Sequence, residues 1–265
     1  MLIVGERINS TRESIQSAIK NRNAGFIVGE ATRQIASGAG FVDINCAVTD
    51  GDEVQDIDWV VSAIQSRIPD VSICIDSPNY LAIERALEVY KASGRVMINS
   101  ITADSERIDR ILPLAVRSNS KLIALTMDDK GMPNTAEERF EIARSITGRV
   151  KSGGFDLSNL YFDPLIRPIS TEPEQARQFL RSIPLIKSLG VNTICGLSNV
   201  SFGLPDRKLI NSVFLAMAIQ SGLDAAILDP TDRLMHSSLM AAEALVGRDE
   251  YCAGYIAAFR EGKLI

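Results

Sequence analysis

Short runs of apolar residues alternate with longer amphipathic segments along the whole chain. The short runs are rich in Val, Ile, Leu and Phe, which is typical of strands buried on both faces of a parallel sheet. We predict eight such strands, at residues 2–5, 41–45, 72–75, 95–98, 121–126, 160–162, 192–195 and 225–228. The intervening segments repeat apolar positions every three or four residues, which predicts helices at 27–36, 54–68, 81–91, 108–116, 136–150, 173–188, 209–221 and 234–246.

Eight evenly spaced strand–helix units predict a single α/β domain, a (β/α)8 TIM barrel that spans residues 1–265. A doubly wound open sheet is the alternative, but the even spacing favours closure of the barrel. In TIM barrels the active site lies at the C-terminal ends of the strands. The residues that follow each predicted strand are therefore the candidates for function.

Composition and net charge argue against several classes of protein. The net charge is −5 and the basic residues are scattered, which argues against a nucleic-acid partner. No apolar run approaches the ~20 residues that span a bilayer, so we expect no membrane partner. The N-terminal residues show no secretion signal, so we expect a cytoplasmic location. The four cysteines form no C-x-x-C pair and the only histidine is His236, so we expect reduced, mostly buried thiols, a structural histidine and no zinc site.

Carboxylate and carboxamide side chains follow nearly every predicted strand, whereas lysine and histidine are missing from these positions. The set comprises Glu6, Asn9, Asp43, Asn45, Asp76, Asn99, Asp163, Asn199 and Asp229. Such residues also end strands and cap helices, which explains any one of them. The set as a whole predicts a site for a ligand edge that is rich in N–H donors.

Two kinds of ligand fit such a site. A divalent cation would need several carboxylates, and Asp43, Asp76, Asp163 and Asp229 are candidates, but none belongs to an acidic motif with metal-ligand spacing, so we expect no bound metal. A pterin presents a ring N–H beside an amino group, and a carboxylate accepts this pair as it accepts the fork of an arginine. Asparagine can pair with the alternating donors and acceptors of the other ring atoms.

Several short motifs occur in order at the predicted strand ends. They are GERIN (5–9), DIN (43–45), IDSPN (75–79), MINS (97–100), DPLIRP (163–168), GLSNVS (196–201) and GLDAAILD (222–229). Together they resemble the pterin-binding methyltransferases, above all the methyltetrahydrofolate:corrinoid/iron–sulfur protein methyltransferases. The resemblance covers the whole chain, and its specificity comes from the order of motifs that are individually weak.

The resemblance implies that Asp76, Asn99 and Asp163 hydrogen-bond the pterin ring and that Asn199 lies near its N5 atom and assists methyl transfer. Further positions of the same motifs are possible secondary site residues: Glu6, Asn9, Asp43, Asn45, Gly196, Ser198, Arg207 and Asp229. The implied reaction transfers a methyl group between N5 of tetrahydrofolate or methyltetrahydrofolate and the cobalt of a corrinoid (cobalamin), in an undetermined direction. The chain has no D-x-H-x-x-G cobalt-binding motif, so a separate corrinoid protein is expected to dock at the C-terminal face of the barrel. A homodimer is also implied.

Two positions depart from the family pattern, and three further functions stay open. Pro78 stands where relatives often have Thr, and Asp50-Gly51 replaces a different loop sequence. A dihydropteroate synthase-like enzyme would need cationic groups for a pyrophosphate, for which Arg207 and Arg233 are available, but no lysine ends the seventh strand. A phosphate-binding barrel and a folate-binding protein without catalysis are the second and third of these functions.

Overall fold

Eight parallel strands form a closed barrel in the order of the sequence, which confirms the predicted TIM barrel. The computed structural model describes residues 1–48, 51–92 and 94–265; Asp50, which departs from the family pattern, lies outside them. The strands are β1 (Leu2–Asn9), β2 (Phe41–Asn45), β3 (Ile73–Asp76), β4 (Val96–Ile101), β5 (Lys121–Leu125), β6 (Leu160–Asp163), β7 (Asn192–Gly196) and β8 (Ala225–Leu228). The strand β1 pairs with both β2 and β8, and this pairing closes the barrel.

Ten α-helices surround or extend the barrel in the described part of the chain. They are α1 (Glu13–Lys20), α2 (Ala24–Ala36), α3 (Glu53–Arg67), α4 (Tyr80–Val89), α5 (Ser105–Ser118), α6 (Ala136–Ser152), α7 (Gln175–Lys187), α8 (Arg207–Gln220), α9 (Arg233–Leu245) and α10 (Ala253–Arg260). The eight predicted helices correspond to α2–α9. The sequence reading missed α1 and α10, because a helix of two turns repeats its apolar positions too few times to show a period.

Three strand ends differ from the prediction in a way that matters for the site. The strand β1 continues to Asn9, past a register shift between Gly5 and Ile8, whereas the predicted strand ended at Gly5. Asp76 and Asp163 are the last residues of β3 and β6 rather than the first residues of loops. Both carboxylates are consequently positioned by the sheet itself, which is more rigid than a loop.

The inner core is a cluster that takes one buried residue from each of the eight strands: Val4, Phe41, Cys74, Met97, Ile123, Tyr161, Ile194 and Ala225. Larger clusters lie between the outer face of the barrel and the helices. Side chains of a strand alternate between its two faces, so residues two positions beyond the inner cluster also point into the barrel. The inner cluster therefore forms an apolar floor beneath the side chains at the C-terminal ends of the strands.

Several polar residues near the strand ends cap helices. Asn79, Asp104 and Asp232 accept backbone N–H groups at the starts of α4, α5 and α9, and Thr135 forms a capping box with Glu138 on α6. Capping satisfies N–H groups that have no partner within a helix. The last residue of the IDSPN motif, Asn79, thus has a structural role.

The four cysteines are free thiols; Cys46, Cys74 and Cys195 are buried and Cys252 is exposed. The expectation that most of the thiols are buried is confirmed in the structure. Within the described ranges, no helix is both long enough and apolar enough to cross a membrane.

Candidate functional site

A polar layer lies directly above the inner core at the C-terminal end of the barrel. Two residues beyond the inner cluster, the eight strands contribute Glu6, Asp43, Asp76, Asn99, Leu125, Asp163, Gly196 and Ile227. Four of these are carboxylates, one is a carboxamide and one is a glycine. The structure therefore gathers the three predicted pterin-binding residues, Asp76, Asn99 and Asp163, into one layer of the barrel interior.

Neighbouring strands align three of the predicted residues side by side. Asn45 pairs with Asp76 between β2 and β3, and Asp76 pairs with Asn99 between β3 and β4. The Asn45 amide nitrogen donates to an Asp76 carboxylate oxygen over 2.8 Å. Asp76 and Asn99 are both half-buried. Because they pair across β3 and β4, a carboxylate acceptor lies beside a carboxamide.

Two further acidic side chains of the same layer, Asp43 and Glu6, lie near this row. Asp43 is 3% exposed, and its Oδ1 atom has no hydrogen-bond partner within the described residues. Burial, followed by the nearby charge of Asp76, raises the pKa of Asp43 well above its usual range. Burial likewise raises the pKa of Glu6, whose Oε2 atom accepts a 3.4 Å hydrogen bond from the Ser198 hydroxyl. Both environments favour the protonated carboxyl, which can donate as well as accept.

Asp163 is oriented by two backbone N–H groups at the end of β6. Its Oδ1 atom accepts from the amide of Leu165 at 2.8 Å, and its Oδ2 atom accepts from the amide of Gly196 at 3.3 Å. The side chain is buried, and burial raises the pKa of Asp163 to about 6 despite these two hydrogen bonds. A ligand that offers further N–H donors would stabilise the ionised form of this buried carboxyl.

Asn199 lies on a 3-10 helix, Leu197–Ser201, directly after β7, in a segment for which no helix was predicted. Its side chain is exposed. A Cβ atom at Gly196 would lie 3.4 Å from the Asn199 amide nitrogen and 3.9 Å from the Asp163 carboxylate. The φ angle of Gly196 is −73°, and both distances are ordinary contacts, so Gly196 marks the short gap between the Asp163 carboxylate and the Asn199 amide.

Arg207 supports the segment that carries Asn199. Its Nη2 atom donates to the Ser198 carbonyl at 2.6 Å, and its Nε atom donates to the Ser201 hydroxyl at 3.0 Å. The predicted secondary residue Arg207 thus contacts the 3-10 helix itself. These two contacts account for its presence without a ligand phosphate.

Asn9 and Asp229 lie at the edge of the site, where local contacts already occupy them. The Asn9 carboxamide oxygen accepts from the backbone and hydroxyl of Thr11 at 3.0 and 2.7 Å. Asp229 accepts from Arg7 at 2.7 Å and from the Thr231 hydroxyl at 2.6 Å. Burial alone would raise the pKa of Asp229, but the hydrogen bonds from Thr231 and Arg7 outweigh it and hold the pKa below its ordinary value.

The sequence reading missed Arg7 and its partners on α2. Arg7 also forms an ion pair with Glu30, which is 2% exposed and pairs with Arg33 as well. The fully buried Gln34 accepts the Arg7 backbone N–H at 3.0 Å. Glu30 and Gln34 lie on the same stripe of α2 as the buried Ile27 and Ala31, and polar residues on an apolar stripe were an available signal.

It also missed two arginines near the starts of helices. Arg139 of α6 is fully buried and donates to the carbonyls of Pro164 at 2.6 Å and Leu165 at 3.2 Å, directly after Asp163. Arg107 of α5 donates to three carbonyls next to Asp76 and Asn99. Cations are disfavoured at helix N-termini by the helix dipole, so an arginine there indicates another function.

The donor and acceptor set of the site fits the edge of a flat heterocycle. Within residues 1–48, 51–92 and 94–265, no group of three or more His, Cys, Asp or Glu side chains is arranged to hold a metal. The carboxyls of Asp76 and Asp163 and the carboxamide of Asn99 all rise from one layer above an apolar floor. This arrangement can accept ring N–H groups and enclose a planar ligand on its lower side.

Comparisons with known proteins agree with this geometry. A family described as pterin binding enzymes matches residues 5–229. The chain is 31% identical over 268 residues to a methylcorrinoid:tetrahydrofolate methyltransferase of Eubacterium limosum, a match that covers all of this chain and 98% of that protein. It is 30% identical over 244 residues to a methionine synthase of Mycobacterium tuberculosis, a match that covers 86% of this chain but only 20% of that protein.

Solved structures extend the likeness of the fold. A dihydropteroate synthase of Xanthomonas albilineans, in complex with 7,8-dihydropteroate, superposes with a TM-score of 0.72 at 18% identity and covers 92% of this chain and 93% of that one. At this identity the superposition shows a shared barrel and nothing finer. The family match and the full-length relative confirm the resemblance inferred from the motifs: this chain belongs to the family of pterin-binding enzymes.

Proposed function

We propose that residues 1–265 act as one methyltransferase domain that moves a methyl group between the cobalt of a corrinoid, carried by a separate protein, and N5 of tetrahydrofolate. The observation that carries the proposal is the polar layer of Asp76, Asn99 and Asp163, with Asn199 beside Asp163 at the end of β7. The name of the Eubacterium limosum relative, methylcorrinoid:tetrahydrofolate methyltransferase, supports the direction from corrinoid to folate.

Three side chains would bind the pterin ring. Asp76 and Asp163 would accept hydrogen bonds from ring N–H and amino groups, and Asn99 would pair with the neighbouring ring atoms through its amide. Two backbone N–H groups already fix the orientation of the Asp163 carboxylate. A carboxylate that is oriented before the ligand arrives loses little conformational entropy on binding.

Asn199 would act on the reacting nitrogen. The lone pair of N5 attacks the methyl carbon, the N–C bond forms, and the cobalt–carbon bond breaks with its electron pair left on cobalt; the N5 proton then leaves to water. Positive charge develops on N5 during the attack. A hydrogen bond from N5–H to the Asn199 carboxamide oxygen stabilises that charge most strongly in the transition state, where stabilisation raises the rate.

The corrinoid protein is proposed to dock at the C-terminal face, because the polar layer lies at that end of the barrel, above the apolar inner cluster. The homodimer stays a prediction from the family resemblance. Leu209, Val213 and Met217 of α8 are each about half exposed and lie four residues apart, which places them on one face of the helix. Sedimentation of the wild type and Val213→Asp tests whether this face is buried between two copies.

An anaerobic absorbance assay tests the activity. Methylcob(III)alamin with tetrahydrofolate, and cob(I)alamin with methyltetrahydrofolate, are followed at the cobalamin absorption bands with the wild type, Asn199→Ala and Asn192→Ala. Asn192 is the matched control because it lies at the opposite end of β7 and donates to the Ser158 carbonyl at 2.8 Å.

We expect Asn199→Ala to lower turnover by about 10²-fold while tetrahydrofolate affinity, measured by calorimetry, changes less than about threefold. Asn192→Ala should lose stability and keep its rate per folded molecule. Absence of turnover in both directions, with the free and the protein-bound corrinoid, would contradict the methyltransferase proposal. Formation of dihydropteroate from a pterin pyrophosphate and 4-aminobenzoate would favour the dihydropteroate synthase alternative.

A further inference from the structure

Arg107 donates three hydrogen bonds to backbone carbonyls and joins two neighbouring strand ends. From the first turn of α5, its Nε atom reaches the Ser100 carbonyl at 2.6 Å, and its Nη1 and Nη2 atoms reach the carbonyls of Pro78 at 2.6 Å and Ser77 at 2.9 Å. The guanidinium plane offers its donors in a fixed fork, so all three carbonyls are held at set distances from one another.

These carbonyls belong to the residues that directly follow two proposed pterin ligands. Ser77 and Pro78 follow Asp76, and Ser100 follows Asn99 across a cis peptide bond. The Ser77 amide also donates to the Asn99 carbonyl at 3.1 Å. A single side chain from a helix outside the barrel thus fixes the relative position of the two strand ends.

We propose that Arg107 is a positioning residue that holds Asp76 and Asn99 at the spacing and orientation required by one edge of the pterin. The inference rests on the proposed function, and it adds a residue that touches neither the ligand nor the reacting atoms. Binding groups must be held to within fractions of an ångström by the shell around them, and Arg107 supplies that support on this side of the barrel.

The charge of Arg107 adds to the effect of its geometry. Burial has the largest effect on Asp76 and raises its pKa. The hydrogen bond from Asn45 and the charge of Arg107 lower the pKa of Asp76, whereas the charge of Glu53 raises it. From inside the barrel, Asp43 and Cys74 also face Asp76. Arg107 is the positive group in this set, and it favours the ionised carboxylate that accepts ring N–H groups.

Two substitutions separate the fork from the charge. Arg107→Lys keeps the positive charge but replaces the planar fork with one ammonium group that cannot hold three carbonyls at fixed spacing. Arg107→Met keeps most of the apolar stem and removes both the planar fork and the positive charge. Arg117→Met is the matched control, because Arg117 is an exposed arginine in the last turn of the same helix, α5.

The experiment has one arm without ligand and one with tetrahydrofolate. Carbon-13 NMR titration of the Asp76 carboxyl in the ligand-free protein should give a higher pKa in Arg107→Met than in the wild type, with Arg107→Lys close to the wild type. Calorimetry should show tetrahydrofolate affinity weakened by about 10- to 100-fold in Arg107→Met and by about 3- to 10-fold in Arg107→Lys. Arg117→Met should match the wild type in both arms, and circular dichroism confirms that each variant is folded.

The two arms distinguish this inference from the proposed function. If the wild type binds no tetrahydrofolate, the proposed function is wrong, and the ligand-free titration still tests the contact between Arg107 and the Asp76 strand end. If the wild type binds tetrahydrofolate and the folded Arg107→Met binds it equally well, the positioning role is overturned. An Asp76 titration that is identical in the wild type and Arg107→Met also overturns the inference.

Discussion

The side-chain amide of Asn45 donates a 2.8 Å hydrogen bond to the carboxylate of Asp76 across the neighbouring strands β2 and β3. The oxygen of the same carboxamide accepts from the Ala47 amide at 3.1 Å and from the Ser10 hydroxyl at 3.3 Å. These two donors determine which end of the carboxamide faces Asp76. Burial raises the pKa of Asp76, and the N–H donor that Asn45 presents to this carboxylate opposes that rise.

Replacing Asn45 should change the ionisation of Asp76 in a direction set by the new side chain. Asn45→Asp keeps an oxygen for Ala47 and Ser10 but turns an acceptor toward Asp76, so the pKa of Asp76 should rise further than in Asn45→Ala. We expect tetrahydrofolate affinity near neutral pH to fall by about tenfold in Asn45→Asp, which corresponds to the loss of one charge-assisted hydrogen bond. Calorimetry at several pH values measures both effects.

Asn21→Ala is the control for the two Asn45 variants, because Asn21 is exposed at the end of α1 and its side chain donates to Ser17 of the same helix. Equal affinities of the wild type and Asn45→Asp across the pH range would show that Asn45 does not govern Asp76.

The raised pKa of Asp163 predicts a specific pH dependence of stability. The folded protein holds the Asp163 proton up to a pH of about 6, whereas the ordinary pKa of an aspartate is 3.8. Between these values the folded state binds more protons than the unfolded state, so the contribution of Asp163 to stability falls as pH rises through this window and is constant above it. A shift of this size corresponds to roughly 2–3 kcal/mol.

Chemical denaturation of the wild type and Asp163→Asn at several pH values checks this prediction. The free energy of unfolding of the wild type minus that of Asp163→Asn should decrease from pH 4 to pH 7, whatever constant offset the substitution causes. Asp70→Asn, which changes a side chain that is 88% exposed, is the matched control for the loss of one carboxylate. A difference that stays flat or rises with pH would contradict the assigned shift.

Two glycines predict opposite effects of the same substitution. A Cβ atom at Gly5 of β1 would collide with the Gln34 carboxamide oxygen, which is buried and hydrogen-bonded to the Arg7 amide. Gly5→Ala should therefore destabilise the protein by about 1–3 kcal/mol through overpacking. Gly29 lies in α2 with open space around its Cα, so Gly29→Ala should stabilise by about 0.5–1 kcal/mol.

Urea denaturation of both variants measures these changes against the wild type. Because the two glycines lie on adjacent elements and undergo the same change, each is the control for the other. A Gly5→Ala variant as stable as Gly29→Ala would show that Gln34 moves aside without cost.

Thiol labelling should distinguish one cysteine from the other three. Cys252 is exposed, whereas Cys46, Cys74 and Cys195 are buried, and burial raises the pKa of each of these three thiols. Since the thiolate is the reactive form, a disulfide reagent should modify one thiol of the native protein rapidly and all four only after unfolding. Fast reaction of a second thiol in the native protein would show that one buried site opens to solvent.

The strands, the barrel and the acidic and amide character of its mouth could all be predicted from sequence. Buried parallel strands carry short continuous apolar runs, and this pattern depends only on residues that are close in the chain. The position of Asp76 or Asp163 at a strand end follows from the same local pattern. Family motifs then assign these residues to a pterin, an assignment that stays a prediction until binding is measured.

Only the closed barrel decides which side chains meet. Arg7 and Asp229 are 222 residues apart in sequence and 2.7 Å apart in space, because β1 and β8 pair only when the barrel closes. Arg107 reaches Ser77 across 30 residues, and Arg139 reaches Pro164 across 25. The direction of a long side chain and the carbonyl it reaches depend on how helices pack on the barrel, and no local pattern of hydrophobic and polar residues contains that information.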